Sequence, residues 1–146
     1  MVNVMDVDKS NIEELIEKDF GRDRLYLMFE RQHKLMEKYH GIEKANGCLQ
    51  TEDVPVDIQS CLGQARLKDF AWRVTEEIGE AMNCLKNKSW KQSQMETDEI
   101  HYKEEIIDAA HFFIELCILS GIEADDFFRI YLEKNEVNKF RQRSNY

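Results

Sequence analysis

Two acidic clusters hold most of the chemistry this chain could perform: Glu76-Glu77-x-x-Glu80 and Glu104-Glu105-x-x-Asp108. Both lie in helix-favouring sequence, where residues three or four apart share a face. Each cluster therefore aims two or three carboxylates in one direction. If the two helices pack with those faces together, four or five anions converge. Unit charges about 4 Å apart repel by roughly 1 kcal/mol in water and about 4 kcal/mol at an effective dielectric near 20. Such a constellation calls for a counter-ion, and a divalent metal is the obvious one. Two solvated acidic faces that never meet are the alternative, and spacing does not choose between them.

A second group lies near the C-terminus. Lys134, Asn138 and Arg141 fall at i, i+4 and i+7 of a helical pattern, with Asn135 and Gln142 alongside. An ordinary solvated face fits many Lys/Arg-rich helices. Amides interleaved with bases also make a surface equipped to grip oxyanions and carbonyls.

The elements that must carry these groups read as helices throughout. One proline (Pro55) and six glycines leave long uninterrupted segments. Residues 1–9 read as a flexible arm. Ser10 and Glu13 form a capping-box pattern that opens a short first helix ending near Phe20-Gly21. Asp23 opens a longer one to about His40, with Leu25, Met28, Phe29, Gln32, Leu35, Met36 and Tyr39 spaced for one face and Gly41 as its stop.

Residues 41–57 read as the main loop. A long helix from about Ile58 to Lys86 carries the first acidic cluster, and residues 87–97 around Trp90 form a second loop. The next helix, from about Asp98 to Ser120, has an apolar stripe of Ile106, Ala110, Phe113 and Cys117. Ile107, Ile114 and Ile118 lie beside that stripe, while Glu104, Glu105, Asp108 and His111 take the other side. Gly121 ends it, and a last helix spans about Ala124 to Arg143. With no strand pattern, internal repeat or low-complexity tract, the chain predicts a single all-α domain over 1–146, a helical bundle of four to five helices.

Composition narrows the function classes. The chain has 146 residues, 42% hydrophobic and 34% charged, as expected of one globular helical domain. A net charge of −9 argues against binding a nucleic-acid polymer. The charge is uneven: residues 74–108 hold nine acids and four bases, while 129–146 hold five bases and two acids. An acidic centre beside a basic tail suits a metal-bound phosphate ligand. Cys48, Cys61, Cys84 and Cys117 are widely spaced without a C-x-x-C pair, and read as reduced, partly buried thiols of a cytoplasmic protein. No signal-peptide pattern opens the chain, and no stretch approaches the roughly 20 apolar residues of a membrane span.

Taken together, the acidic clusters and the C-terminal face resemble a known family. E-E-x-x-E, a spacer and E-x-x-D is similar to the all-α NTP pyrophosphatase superfamily, which includes MazG-type enzymes and the dimeric dUTPases. The matching residues are Glu76, Glu77, Glu80, Glu105 and Asp108. The run Tyr131-x-x-Lys134-Asn135-x-x-Asn138-x-x-Arg141-Gln142 resembles the ending of dimeric dUTPases and the related phage dCTPase. Asp108-x-x-His111-Phe112 resembles that group's D-x-x-H-F segment. The resemblance covers about residues 25–146, strongly after Arg73.

What the resemblance implies is an Mg²⁺-dependent enzyme, with Mn²⁺ as a substitute, that converts a deoxynucleoside triphosphate to the monophosphate and pyrophosphate. dUTP comes first as substrate and dCTP next. Glu77, Glu80, Glu105 and Asp108 match the metal-holding carboxylates. Glu77, with Glu76 as a further candidate, matches the group that orients or deprotonates the attacking water. Lys134 and Arg141 match phosphate-binding bases, and Asn135 and Asn138 match polar residues near the nucleotide. Gln32, in Gln32-x-x-Leu35, matches a glutamine that contacts the pyrimidine, although Met36 stands where dUTPases carry asparagine. Trp90-Lys91 resembles a pair whose tryptophan packs on the base. A homodimer is also implied.

Other readings stay open. A MazG-like enzyme would take purine or damaged nucleotides. Glu30-x-x-His33, Glu37-x-x-His40 and Asp108-x-x-His111 imitate the carboxylate-x-x-His motif of di-iron bundles. A non-catalytic helical partner protein would keep the fold alone. Without the family, Trp90 reads as a loop aromatic anchoring the bundle, Trp72 as core, Asn83 and His101 as solvent-facing, and His111 as a satisfied histidine at a helix boundary.

Overall fold

The computed structural model describes residues 10–144, with five helices: α1 (Ser10–Lys18), α2 (Arg24–Ala45), α3 (Cys61–Cys84), α4 (Glu99–Leu119) and α5 (Ala124–Arg143). No strand occurs among the described residues, so the all-α expectation holds. The predicted arm over 1–9 lies outside the described residues, as does the Ser10 side chain proposed as a cap.

Local chemistry sets most boundaries. Asp23 caps α2 by accepting from the Tyr26 N–H at 2.8 Å, and Asp98 caps α4 by accepting from the His101 N–H at 3.1 Å. Ser60 caps α3 by accepting from the Gly63 N–H at 2.9 Å. Gly121 ends the α4 segment in the left-handed region, at φ 78°.

Two boundaries differ from expectation. Helix α2 runs through Gly41 and stops at Asn46-Gly47, where Gly47 has φ 69°. A helical glycine costs only about 1 kcal/mol relative to alanine. Continuing the helix places Glu43 against Arg66 and Arg73 of α3. Helix α3 starts three residues later than Ile58, because the Asp57 carbonyl is used by the Ser60 amide and hydroxyl.

The closest pairing is α3 with α4, and α2 then packs on α4 and meets α5. Phe29, Met36, Phe70, Ile114, Ile118 and Leu119 form the centre of the core. Phe127 at the start of α5 reaches it with its ring 5.9 Å from Phe29 and 6.2 Å from Phe113. Beyond Phe127 the helix is exposed on almost every residue.

Helix α4 departs from a single apolar stripe. Glu105, Ala109, Glu115 and Ile118 are buried, while Ile107 and Phe113 are exposed. Packing on α3 along one side and α2 along another gives it two buried faces, and the carboxylate side is one of them. On α3, Leu62 and Ile78 are exposed, while Arg66, Phe70 and Ala81 are fully buried.

Gly63 marks the tightest backbone approach. A Cβ built there would lie 2.0 Å from the Asp57 carbonyl oxygen. Gly63→Ala is expected to lower stability by about 3 kcal/mol through forced displacement of the 57–60 turn. Urea unfolding of the variant checks this, and an unchanged midpoint would show that the turn yields freely.

Candidate metal centre and adjoining groove

Helices α3 and α4 bring the two acidic clusters together. Glu77, Glu80 and Glu105 each offer a carboxylate oxygen, and these atoms lie within 4.8 Å of one another. Glu105 is buried, Glu77 half-buried and Glu80 exposed, so the group opens to solvent on one side. Burial first, then the charge of Glu80, a hydrogen bond with Glu105 and the charge of Asp108, pushes the Glu77 carboxyl up to about 7. Asp108 is exposed and outside the tight group, but its charge is felt at Glu77.

The donor set fits a hard divalent cation. All three groups are oxygen donors, which suit Mg²⁺ or Ca²⁺ rather than a soft metal. The charges that act on Glu77, those of Glu80, Asp108 and Glu105, are all negative. No histidine joins this group among the described residues. The three histidines of the di-iron pattern are placed otherwise. His33 pairs with Glu123 at 3.0 Å, His111 meets Gln32, and His40 buries an unpartnered Nε2.

Glu76 points elsewhere. The indole N–H of Trp72 donates to its carboxylate at 2.9 Å, and both side chains are exposed. Trp72 is 61% exposed and is therefore not core, because the buried line of α3 runs through Arg66, Phe70 and Ala81. His101, solvent-facing in the sequence reading, is exposed but lies 3.3 Å from Glu105 Oε1. Asn83 lines an open depression with Glu80, Glu96 and His101.

Beside the centre, α2 and α4 enclose a groove of about 530 Å³. Met28, Leu35, Ile107 and Ile114 make its apolar surface, and Arg31, Lys34 and Lys38 contribute positive charge. Its remaining polar wall is Gln32 and His111. His111, on the groove wall, lies three residues beyond Asp108 on α4, about 4.5 Å along the axis. His111 is mid-helix, not at a boundary.

Behind the groove lies a buried polar network that the sequence reading missed. Gln32, only 4% exposed, donates from Nε2 to Glu115 Oε2 at 2.9 Å, and its Oε1 is 3.0 Å from His111 Nδ1. Glu115 is fully buried. Burial pushes its carboxyl up to about 7, against the hydrogen bond from Gln32 and the positive charge of Arg66 and Arg73. Arg66, also fully buried, pairs with Glu43 and stacks over the Phe70 ring at 4.6 Å. A charge inside the apolar run Phe112–Leu119 was the signal available in the sequence.

The C-terminal face is not joined to either feature within one chain. Lys134, Asn138 and Arg141 are exposed and Asn135 is half-buried. None of them belongs to the acidic group or to the groove wall. Asn135, Asn138 and Gln142 line a shallow concavity of their own on α5. Trp90 is 77% exposed under the Lys88 ammonium, 5.3 Å from the ring, and so does not anchor the bundle. All four cysteines are free; Cys117 is buried, Cys84 half-buried, and Cys48 and Cys61 are exposed. No described helix is long and apolar enough to cross a membrane. Comparison of the chain with protein-family models, curated proteins and solved structures finds no match.

Glu115 has a consequence for stability. The folded protein holds its proton up to about pH 7, whereas the unfolded chain releases it near 4.5. Stability therefore falls as pH rises between those values, by about 3 kcal/mol in all. Glu115→Gln is expected to be more stable than wild type at pH 8 by about that amount and little changed at pH 4.5. Denaturant unfolding at the two pH values measures it, and a difference independent of pH would contradict the assignment.

Proposed function

We propose that the chain is a Mg²⁺-dependent pyrophosphohydrolase of deoxynucleoside triphosphates, with dUTP as first substrate and dCTP as next. The observation that carries this reading is the convergence of Glu77, Glu80 and Glu105 from two helices, with Asp108 adjacent. The groove beside it supports a nucleotide ligand, having apolar walls for a base, a polar pair for its edge and three cationic side chains. The resemblance over residues 25–146 points the same way.

In this reading Glu77, Glu80 and Glu105 hold Mg²⁺, with Asp108 nearby. When bound, the ion neutralises phosphate charge and makes water more acidic. Water attacks phosphorus, the α–β anhydride bond breaks, and the monophosphate and pyrophosphate leave. Glu77 orients the water and takes its proton. Lys134 and Arg141 grip the departing phosphates, with Asn135 and Asn138 beside them. Gln32 contacts the pyrimidine, and Trp90, which lies on its loop outside the groove wall, is assigned to the base by the resemblance alone.

The same reading includes a homodimer. The exposed basic end of α5 and the acidic centre of α3 and α4 are complementary in charge, yet separate within one chain. Phe128, Tyr131, Val137 and Phe140 give α5 an exposed apolar component for such a contact. A partner's α5 would bring the phosphate-gripping bases to the carboxylates.

Incubation with each dNTP and Mg²⁺ is expected to give monophosphate and pyrophosphate, and orthophosphate alone would refute the reaction. Glu77→Gln is expected to lower kcat about 10²–10³-fold, the range for loss of a general base. Arg141→Ala is expected to raise KM for the triphosphate by about 10-fold. If the site is shared, mixing Glu77→Gln with Arg141→Ala protein restores activity above that of either alone. No gain on mixing, or a monomer by light scattering, would place the whole site within one chain.

A further inference from the structure

The buried network ends in the groove, and its polarity follows from donor and acceptor chemistry. Glu115 and His111 lie four residues apart on α4, and Gln32 of α2 bridges them, 2.9 Å from Glu115 Oε2 and 3.0 Å from His111 Nδ1. The Gln32 amide turns its NH₂ towards Glu115 Oε2, as it must above about pH 7, where Glu115 is ionised and its carboxylate only accepts hydrogen bonds. Its carbonyl oxygen then faces His111, and an amide oxygen also only accepts. Nδ1 of His111 must therefore carry the hydrogen. The neutral imidazole is left with a lone pair on Nε2, the nitrogen free to meet a ligand.

Arg66 pairs with Glu43, and among the described residues Arg66 Nε and Glu115 Oε1 are both buried without a hydrogen-bond partner. Among the described residues, the one side-chain hydrogen bond that Glu115 makes runs outward, to Gln32 of the groove wall. Arg66 and Arg73 of α3 and Glu43 of α2 are the charges that act on it.

We propose that Glu115 is a positioning residue that fixes the Gln32 amide and, through it, the Nδ1–H form of His111, so that the groove presents an acceptor to a nucleobase N–H. The choice of a nucleobase rests on the pyrophosphohydrolase reading, whereas the relay from Glu115 to His111 does not. Two base edges supply the donor, the imino N3–H of uracil and the amino group of cytosine.

Histidine ¹⁵N spectra of the full chain at pH 8.5 test the relay, with the His111 signals assigned from a His111→Gln variant. Wild-type protein is expected to show His111 protonated at Nδ1. Glu115→Met removes the acceptor and returns His111 towards the Nε2–H form that free imidazole side chains prefer. Gln32→Leu, at the groove end of the relay, is expected to do the same and serves if Glu115→Met does not fold. An Nε2–H form in wild type, or an Nδ1–H form unchanged in both variants, overturns the relay.

Binding of dUMP and dCMP then tests the selection. Blocking the donor, as in N3-methyl-dUMP or N4,N4-dimethyl-dCMP, is expected to weaken binding of the preferred base about 10-fold, the scale of one hydrogen bond. That penalty disappears in Glu115→Met. Whichever methylated nucleotide shows it identifies the donor. Equal binding of blocked and unblocked nucleotides overturns the selection. If neither dUMP nor dCMP binds, the pyrophosphohydrolase reading fails and takes the ligand with it, while the tautomer measurement still decides the relay.

Discussion

The packing of α3 against α4 forces Glu77, Glu80 and Glu105 into a volume where their charges repel. Two carboxylates about 4 Å apart repel by about 4 kcal/mol at an effective dielectric near 20, and Glu77 relieves part of this by holding a proton in a hydrogen bond with Glu105. Helices joined only by core contacts have no reason to accept that. The carboxylates could be relieved by a small rotation or by substitution with amides. Glu105 lies on the buried side of α4 and Glu77 is half-buried on α3, so the pairing concentrates negative charge in one place. Helix α2 packs on the other side of α4 and walls a groove with it.

The core answers a second electrostatic problem in a different way. Arg66 is fully buried, and a buried charge is tolerated only with a partner and hydrogen bonds. Glu43 supplies the pair, Arg73 joins it through Asp69 at 2.8 Å, and the Phe70 ring lies within 4.3 Å of the Arg73 guanidinium. This pairing explains why α2 continues past Gly41. The helix must reach Glu43 to neutralise Arg66, and the cost of one glycine is small beside an unpaired buried guanidinium.

Local rules made much of this legible in the sequence. Asp98, Gly121 and the span Ala124–Arg143 follow from capping, positive φ and periodicity, none of which needs a distant partner. The acidic spacing was equally readable, since i, i+3 and i+4 relations hold in any helix. What failed depended on long-range packing. Trp72 reads as core by residue type, yet the rotation of α3 is set by Arg66 and Phe70, which leaves the indole outside bonding Glu76. Glu115 escaped because its meaning comes from Gln32, eighty-three residues away. The relation of α5 to the acidic centre was also not readable, because complementary charge does not say which chain supplies it.

Glu77 and Glu115 show why two carboxyls with similar proton affinity need different accounts. Both are pushed up to about 7, with burial as the first cause. At Glu77 every further contribution is negative charge that raises it again, from Glu80, Glu105 and Asp108. A cation bound among these groups would reverse those contributions and displace the proton on Glu77. At Glu115 the neighbours Gln32, Arg66 and Arg73 lower it, and burial, with the charge of Glu43 behind it, stands against them. No ligand in the groove can undo that burial without opening the core. One carboxyl is therefore suited to respond to what binds, and the other to hold its neighbours in place while binding happens.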